Sequence, residues 1–139
     1  MHCYFCDLYI KSRENVVIEN EFAFAIYDEF PISVGHALIV PKRHYGDYFL
    51  SMEQDVQSMF SLIREMKQII CKEFNPDGFN IGINVGKYAG QTLDHVHIHL
   101  IPRYKGDVKC LEGGVRNIIP HKGSYWHKVP VFKSKYKYK

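Results

Sequence analysis

The chain has 139 residues, of which 46% are hydrophobic and 24% are charged, as is typical of a globular protein with its own core. The formal net charge of +3 is mildly basic and falls well short of the strong positive field of a dedicated nucleic-acid binder. Since neither a secretory signal nor an apolar run of roughly 18 residues is visible, we expect a cytoplasmic protein whose four cysteines are thiols or metal ligands.

Three extended segments and a helix are predicted in the first half. "NVVIEN" and "EFAFAIYDEF" are two of the strands, with a turn at residues 19–21, and "GHALIVPKRH" is a short apolar third strand. In the helix, Ser51 is the expected N-cap and Gln54 completes a capping box. Its apolar stripe consists of Val56, Met59, Phe60, Ile63, Met66, Ile70 and Phe74. "NPDG" ends the helix.

Two further strands are predicted after the helix. "FNIGINVG" alternates apolar and polar residues, and so does the segment with His95, His97 and His99, which we expect to end at Pro102. The order β-β-β-α-β-β with short connections favours an antiparallel sheet packed on one long helix, which is an α+β fold. We expect one domain over residues 1–139. "EGGVRNIIP" is a possible strand after a turn, and the basic residues 128–139 are read as a solvated tail, an edge strand or a basic arm for phosphate.

The three alternating histidines share one face of their strand. Their Cα atoms are spaced by about 6.6 Å, twice the rise per residue, so a single strand is a poor three-ligand metal site. The row is better suited to line a cleft. A neutral imidazole keeps one unprotonated nitrogen, and that nitrogen can attack phosphorus to form a covalent intermediate.

This segment resembles the signature of the histidine triad family of nucleotide hydrolases and transferases. "HVHIHL" follows "GQT", precedes "PR" and lies downstream of "GHALIVPKRH". The stretch "GQTLDHVHIHLIPRYKGD" is most similar to the fragile-histidine-triad branch, and the nucleotide-binding phosphoramidase branch is also similar. The resemblance implies a HIT-like fold with a five-stranded antiparallel sheet, one long helix and short N-terminal elements. It also implies a homodimer, with the helix and a strand at the subunit contact.

The resemblance assigns roles to the three histidines. His97 is implied as the nucleophile that attacks the α-phosphorus of an adenosine nucleotide, such as a dinucleoside polyphosphate or a nucleoside phosphoramidate. His99 is implied to contact the phosphate and the scissile bridging atom. The main-chain carbonyl of His95 is implied to hold the tautomer of the nucleophile.

Other positions match further parts of the family's site. His36 matches a fourth histidine, and Gln91 matches a polar residue that contacts the phosphate and the leaving group. Thr92 and Asn84 fall at phosphate and ribose contacts, and Asp28 matches an acidic residue that holds the ribose hydroxyls. Three residues fall at base-pocket positions, for which ordinary core packing is an equal alternative: Tyr4, Phe5 and Ile26. Arg116 is either a phosphate contact or a partner in a surface salt bridge.

A structural zinc is implied by the similarity to zinc-containing members of the family. "CYFC" supplies Cys3 and Cys6 at the C-x2-C spacing of zinc sites, and His44 and His95 match the histidine ligands. The alternative is a pair of buried thiols. Two other functions stay open: an AMP-binding regulatory module with little turnover, and an aprataxin-like protein that processes adenylated nucleic acid. The leaving group and the resolving nucleophile, water or phosphate, are also open.

Overall fold

The computed structural model describes residues 2–124, so the basic residues 128–139 lie outside the described part of the chain. Residues 2–104 and 105–124 fall in two compact units. The single domain expected over residues 1–139 stays a prediction. No helix within residues 2–124 is long and apolar enough to cross a membrane.

The first unit contains a five-stranded antiparallel sheet. The strands lie in the order β1-β2-β3-β5-β4. In chain order their bounds are Val16–Glu19 for β1, Ala23–Tyr27 for β2, Ala37–Pro41 for β3, Gly78–Gly82 for β4 and Ile98–Arg103 for β5. Every neighbouring pair is antiparallel, and His99 of β5 lies opposite Leu38 of β3 and Gly82 of β4. The α+β fold predicted from the sequence is confirmed.

Two α-helices cover the two faces of this sheet. The short helix α1 spans Tyr4–Lys11 and the long helix α2 spans Glu53–Phe74. Helix α2 packs on a core that includes Ala25, Ile39 and Ile98. Phe5 and Leu8 of α1 pack on the opposite face. Each fully buried aliphatic or aromatic side chain contributes about 1.5–3 kcal/mol, so both helices are held mainly by their apolar faces.

Helix α2 differs from its prediction at the N-terminus and along its stripe. The N-cap is Met52 and not Ser51, because the carboxylate of Asp55 accepts the main-chain hydrogen bond of Met52 at 3.3 Å. Phe60, a member of the apolar stripe, is 46% exposed, while Leu62, which lies outside that stripe, is fully buried. The helix ends where Asn75 adopts a left-handed conformation (φ 50°), as the "NPDG" turn predicts.

The last strand also differs from its prediction. It begins at Ile98, so His95 and His97 precede it, and it continues through Pro102 to Arg103. Pro102 lies opposite Phe79 of β4, beyond the last pair that β5 makes with β3. A residue without an amide hydrogen is tolerated there because β5 pairs on one side only.

The second unit contains a 3₁₀ helix over Gly114–Ile118, where a strand after a turn was a possible interpretation of the sequence. Gly113 and Gly114 both have positive φ values, 87° and 52°, which are incompatible with a strand. Arg116 donates to the main-chain oxygen of Gly123 at 3.1 Å and approaches that of Lys122 at 3.5 Å. In this unit Arg116 therefore holds the loop of residues 113–123 together.

Candidate active site

A cleft of about 410 Å³ opens on the α1 face of the sheet, within the 300–1,000 Å³ range of small-molecule sites. Seven of the predicted site residues line it: Tyr4, Phe5, Ile26, Asp28, Thr92, His97 and His99. One part of the wall is apolar and the other carries imidazoles and carboxylates. A larger cavity of about 750 Å³ shares Tyr4 and Glu29 with the cleft but has no histidine in its lining.

His97 is held in one tautomer by the main chain. Its Nδ1 donates to the carbonyl oxygen of His95 at 2.8 Å, and the side chain is buried, with 7% of the residue exposed. The ring of Phe5 packs against it at 5.2 Å between centroids. Because Nδ1 carries the hydrogen, Nε2 of the neutral ring keeps its lone pair, as a nucleophile requires.

A chain of hydrogen bonds fixes the tautomers of His36 and His99. The main-chain N–H of Ile32 donates to Nδ1 of His36 at 3.3 Å, so the hydrogen of the neutral ring lies on Nε2. This Nε2 donates to Nδ1 of His99 at 3.0 Å and lies 3.5 Å from a carboxylate oxygen of Asp28. Nε2 of His99 therefore carries a hydrogen and is free to donate to a ligand.

Asp28, His36 and His99 also bring three possible ligand atoms within 4.8 Å of one another, as a metal site would. The hydrogen on Nε2 of His36 indicates a hydrogen-bonded group instead, because this nitrogen would need a free lone pair to bind a metal.

Burial keeps these imidazoles neutral. Desolvation, with the nearby His97 and His36 as further causes, lowers the pKa of His99 to about 4. Desolvation also lowers the pKa of His36, although the Asp28 carboxylate acts in the opposite direction. At neutral pH the site therefore offers neutral imidazoles with defined donor and acceptor nitrogens.

Gln91 does not line the cleft. Its Oε1 accepts from the main-chain N–H of Gly86 at 2.8 Å, and its Nε2 donates to the carbonyl oxygens of Gly46 at 2.7 Å and Leu93 at 3.1 Å. The amide thus ties together three loop segments beside the cleft, and its predicted contact with phosphate stays a prediction. Asn84 also lies outside the lining, close to Gly90.

The four predicted metal ligands lie together. Sγ of Cys3 is 3.3 Å from Nδ1 of His95, and Sγ of Cys6 is 3.6 Å from Nδ1 of both His95 and His44. The two Nδ1 atoms are 3.2 Å apart. Around a tetrahedral zinc ion such atoms are about 3.3–3.8 Å apart, so the residues fit this metal.

The surroundings of His95 also favour metal binding. Its Nε2 donates to the carbonyl oxygen of Pro41 at 2.8 Å, which leaves the lone pair on Nδ1, the atom that faces the cysteines. Burial lowers the pKa of His95 to about 4, so the ring is the neutral form that binds metals. Without a metal, burial and the neighbouring Cys3 raise the pKa of Cys6 to about 11. The N-terminus of α1 brings the two cysteines to one side of the helix.

Several residues of the cleft were not found from the sequence. Glu29, Phe30, Leu38 and Leu93 line it, and the main-chain groups of Ile32 and Pro41 fix histidine tautomers. Leu38 of β3 lies two positions after His36, in the segment that the sequence predicts to be extended, and this spacing was a usable signal. Main-chain partners leave no signal of this kind.

The chain is similar to known proteins of a single family. The HIT domain family matches residues 10–106. A bis(5'-adenosyl)-triphosphatase of Dictyostelium discoideum is 34% identical over 104 residues, which are 75% of this chain and 69% of that protein. The crystal structure of a HIT family protein from Bacillus anthracis matches with a TM-score of 0.71 and 31% identity and covers 98% of each chain. The structure of a Zn-bound histidine triad family protein from Mycobacterium smegmatis matches with a TM-score of 0.68 and 33% identity, over 80% of this chain and 81% of that one.

Proposed function

Because the chain belongs to the HIT family, we propose that it is a nucleotide hydrolase or transferase that acts on the α-phosphate of adenosine nucleotides through His97. The observation that carries the proposal is the 2.8 Å hydrogen bond from Nδ1 of His97 to the carbonyl of His95. It leaves the lone pair on Nε2, and the cleft beside it has room for a ligand. The relative from Dictyostelium, named a bis(5'-adenosyl)-triphosphatase, supports the substrate class.

In the first step Nε2 of His97 attacks the α-phosphorus. The N–P bond forms as the bond from phosphorus to the leaving group breaks, and the leaving group departs with that electron pair. A polyphosphate or nucleotide is stable as the anion, whereas an amine also takes a proton from water. The product is a nucleotidyl-histidine whose Nδ1 hydrogen still bonds to the carbonyl of His95.

In the second step water attacks the same phosphorus and the N–P bond breaks. The nucleoside monophosphate is released, the proton of the water passes to solvent, and His97 regains its lone pair. If inorganic phosphate attacks instead of water, the product is a nucleoside diphosphate.

His99 acts as a neutral hydrogen-bond donor in both steps. Its Nδ1 accepts from His36, so its Nε2 hydrogen is available to the phosphate oxygens and to the bridging atom. A donor that is already oriented stabilises the charge of the transition state without the cost of reorganisation.

We further propose that Cys3, Cys6, His44 and His95 hold a structural zinc ion. Four protein ligands close a tetrahedral sphere, so the metal would stabilise the fold and take no part in the reaction. The Zn-bound relative from Mycobacterium smegmatis supports this proposal.

A homodimer is also proposed. Strand β4 is an edge strand of the sheet, and its Ile81 is 46% exposed, as is Phe60 of helix α2. Light scattering after gel filtration tests the proposal: twice the chain mass supports a dimer, and a monomer at micromolar concentration rejects it.

A turnover panel tests the proposed function. It compares adenosine 5'-phosphoramidate, adenylyl-lysine and diadenosine polyphosphates, each with and without inorganic phosphate. Release of AMP supports a hydrolase, and release of ADP in the presence of phosphate supports a phosphorylase. Tight AMP binding without turnover of any substrate would instead identify a regulatory AMP-binding module and reject the enzyme.

A further inference from the structure

The main chain just before His97 is held by a loop and not by the sheet. Strand β5 begins at Ile98, and its pairing with β3 begins at the same residue. Before that point, the main-chain N–H of Val96 donates to the carbonyl oxygen of Tyr45 at 2.8 Å. A shift of this carbonyl would therefore move the main chain next to the nucleophile.

We propose that Asp55, in the first turn of helix α2, is a positioning residue for His97. It acts through Arg43 and Tyr45, which connect the helix to the segment of Val96. Asp55 does not line the cleft, so its effect on turnover must pass through the protein. This inference rests on the proposed function, since it concerns the same nucleophile.

The carboxylate of Asp55 is buried and has two donors. Only 2% of its side chain is exposed, and one oxygen accepts from Nη2 of Arg43 at 2.8 Å. The same oxygen accepts from the main-chain N–H of Met52 at 3.3 Å, at the N-terminus of helix α2. A buried carboxylate needs such partners because an unpaired charge is costly to remove from water. Asp55 therefore fixes the guanidinium of Arg43 relative to the helix.

The guanidinium of Arg43 in turn restricts Tyr45. Its central carbon lies 4.3 Å from the centre of the Tyr45 ring, in a cation–π contact. The same ring belongs to the core between the sheet and helix α2, with 7% of the residue exposed. A ring that is packed between a fixed guanidinium and the core has little freedom to move. The carbonyl oxygen of Tyr45, the acceptor for Val96, is fixed with it.

The neighbours of Tyr45 in the loop contact the same part of the chain. The ring of His44 lies 4.9 Å from the ring of His95 between centroids. The carbonyl oxygen of Gly46 accepts from Nε2 of Gln91 at 2.7 Å. The loop and the segment before the nucleophile therefore pack as one unit, and the ion pair described above connects this unit to helix α2.

Steady-state kinetics of the full-length protein test the inference, with adenosine 5'-phosphoramidate and diadenosine triphosphate as substrates. Asp55→Asn keeps the size of the side chain but removes the charge that holds Arg43. We expect kcat to fall about tenfold or more and KM to change less than about threefold, because the nucleophile is displaced while the cleft remains. The zinc content, measured in the same samples, should stay at the wild-type value. The control Glu53→Gln removes an exposed carboxylate from the same turn of the helix and should have wild-type kinetics.

Nuclear magnetic resonance separates positioning from a general loss of stability. Under native conditions the amide proton of Val96 and the Nδ1 proton of His97 report on the two hydrogen bonds that hold the nucleophile. In Asp55→Asn the Val96 amide should shift upfield, as expected for a longer hydrogen bond, and the His97 resonance should move as well. Both resonances should keep their wild-type positions in Glu53→Gln.

Variants of Arg43 test whether the two residues act along one route. Arg43→Met should lower kcat about as much as Asp55→Asn, and the double variant should lose little more, because residues that act through one contact are not additive. Losses that multiply would contradict a shared route. Arg43→Lys keeps a cation beside Asp55 and should recover part of kcat, and it provides the test if Arg43→Met does not fold.

Four further outcomes contradict the inference. Wild-type kcat in Asp55→Asn would show that the ion pair does not act on the nucleophile, and the proposed function would stand. A fall in kcat with unchanged Val96 and His97 resonances would assign the effect to stability alone. A fall in kcat together with a loss of zinc would assign it to His44. If the wild type turns over neither substrate, the proposed function fails together with the inference.

Discussion

The carbonyl oxygen of His95 accepts the Nδ1 hydrogen of His97 at 2.8 Å, while the ring of His95 faces Sγ of Cys3 at 3.3 Å. One residue therefore belongs to the candidate active-site cleft through its main chain and to the cluster of Cys3, Cys6 and His44 through its side chain. Since Phe5 packs against both imidazoles, we expect a displacement of the His95 ring to shift the ring of His97 as well.

The first prediction concerns metal removal. Cys6→Ala should lower the zinc content from about one ion per chain to near zero and reduce turnover about tenfold or more, because the ring of His95 loses the metal and is then held only by its hydrogen bond to Pro41 and by packing. The zinc content is measured by mass spectrometry of the purified protein. Turnover is measured with a dinucleoside polyphosphate as substrate. Cys71→Ala, a half-buried cysteine outside the cluster, is the control and should keep both values. A zinc-free protein with unchanged turnover would contradict the coupling.

The second prediction concerns His36 as a positioning residue. His36→Ala removes the donor that fixes the tautomer of His99, so kcat should fall about ten- to a hundredfold while KM changes less. His36→Asn should recover part of the loss, because an amide N–H can donate in place of Nε2. His2→Ala, at an exposed histidine, should have wild-type kinetics. Equal activity of His36→Ala and wild type would show that the hydrogen-bonded pair has no role.

The third prediction concerns Gln91, whose amide joins Gly86, Gly46 and Leu93. Gln91→Ala should lower the free energy of unfolding by about 1–3 kcal/mol as well as turnover, since three main-chain groups lose a hydrogen bond, two of them in partly buried surroundings. Urea denaturation measures the stability, and Gln57→Ala on helix α2 is the matched control. If Gln91→Ala lowers only turnover, the amide acts on the substrate and not on the loops.

The fourth prediction concerns pH. The pKa of His99 is about 4 in the folded chain, below the value of about 6.5 in the unfolded chain, so the unfolded state binds more protons between these values. Stability should therefore be complete above pH 6.5 and fall as the pH decreases toward 4. With allowance for solvent screening at its exposed edge, the protonation of His99 in the unfolded chain should lower the free energy of unfolding at pH 5 by about 1 kcal/mol.

The comparison of wild type with His99→Asn isolates this contribution, because any loss of zinc at low pH affects both proteins. Urea denaturation at pH 7 and pH 5 should show a smaller decrease for the variant. Equal decreases would mean that His99 is not held neutral by burial.

Much of the fold followed from apolar periodicity. The alternation in strands β4 and β5, the apolar run of β3 and the three- and four-residue steps of helix α2 predicted the type and order of these elements. The start of α2 was not predictable from Ser51, since the capping group is the side chain of Asp55 three residues into the helix. The continuation of β5 through Pro102 depends on where pairing with β3 stops, which is a tertiary property.

In the candidate site, too, some features could be predicted from the sequence and others depend on the tertiary structure. The histidines and cysteines carry their chemistry in the side chain and were predicted with their partners, and the structure brings Cys3, Cys6, His44 and His95 within bonding reach of one ion. Glu29 was missed because an exposed carboxylate in a loop has no distinguishing pattern. The engagement of Gln91 with three main-chain groups was missed because such partners depend on loop geometry and not on residue type.

The nucleophilic role of His97 is tested most directly by mass spectrometry of the protein, quenched at neutral to alkaline pH during turnover of adenosine 5'-phosphoramidate or a diadenosine polyphosphate. We predict an AMP adduct on the peptide that contains His97. We also predict that His97→Ala forms no adduct and loses at least about a thousandfold in kcat. An adduct on another residue, or full turnover by His97→Ala, would contradict the assignment of the nucleophile.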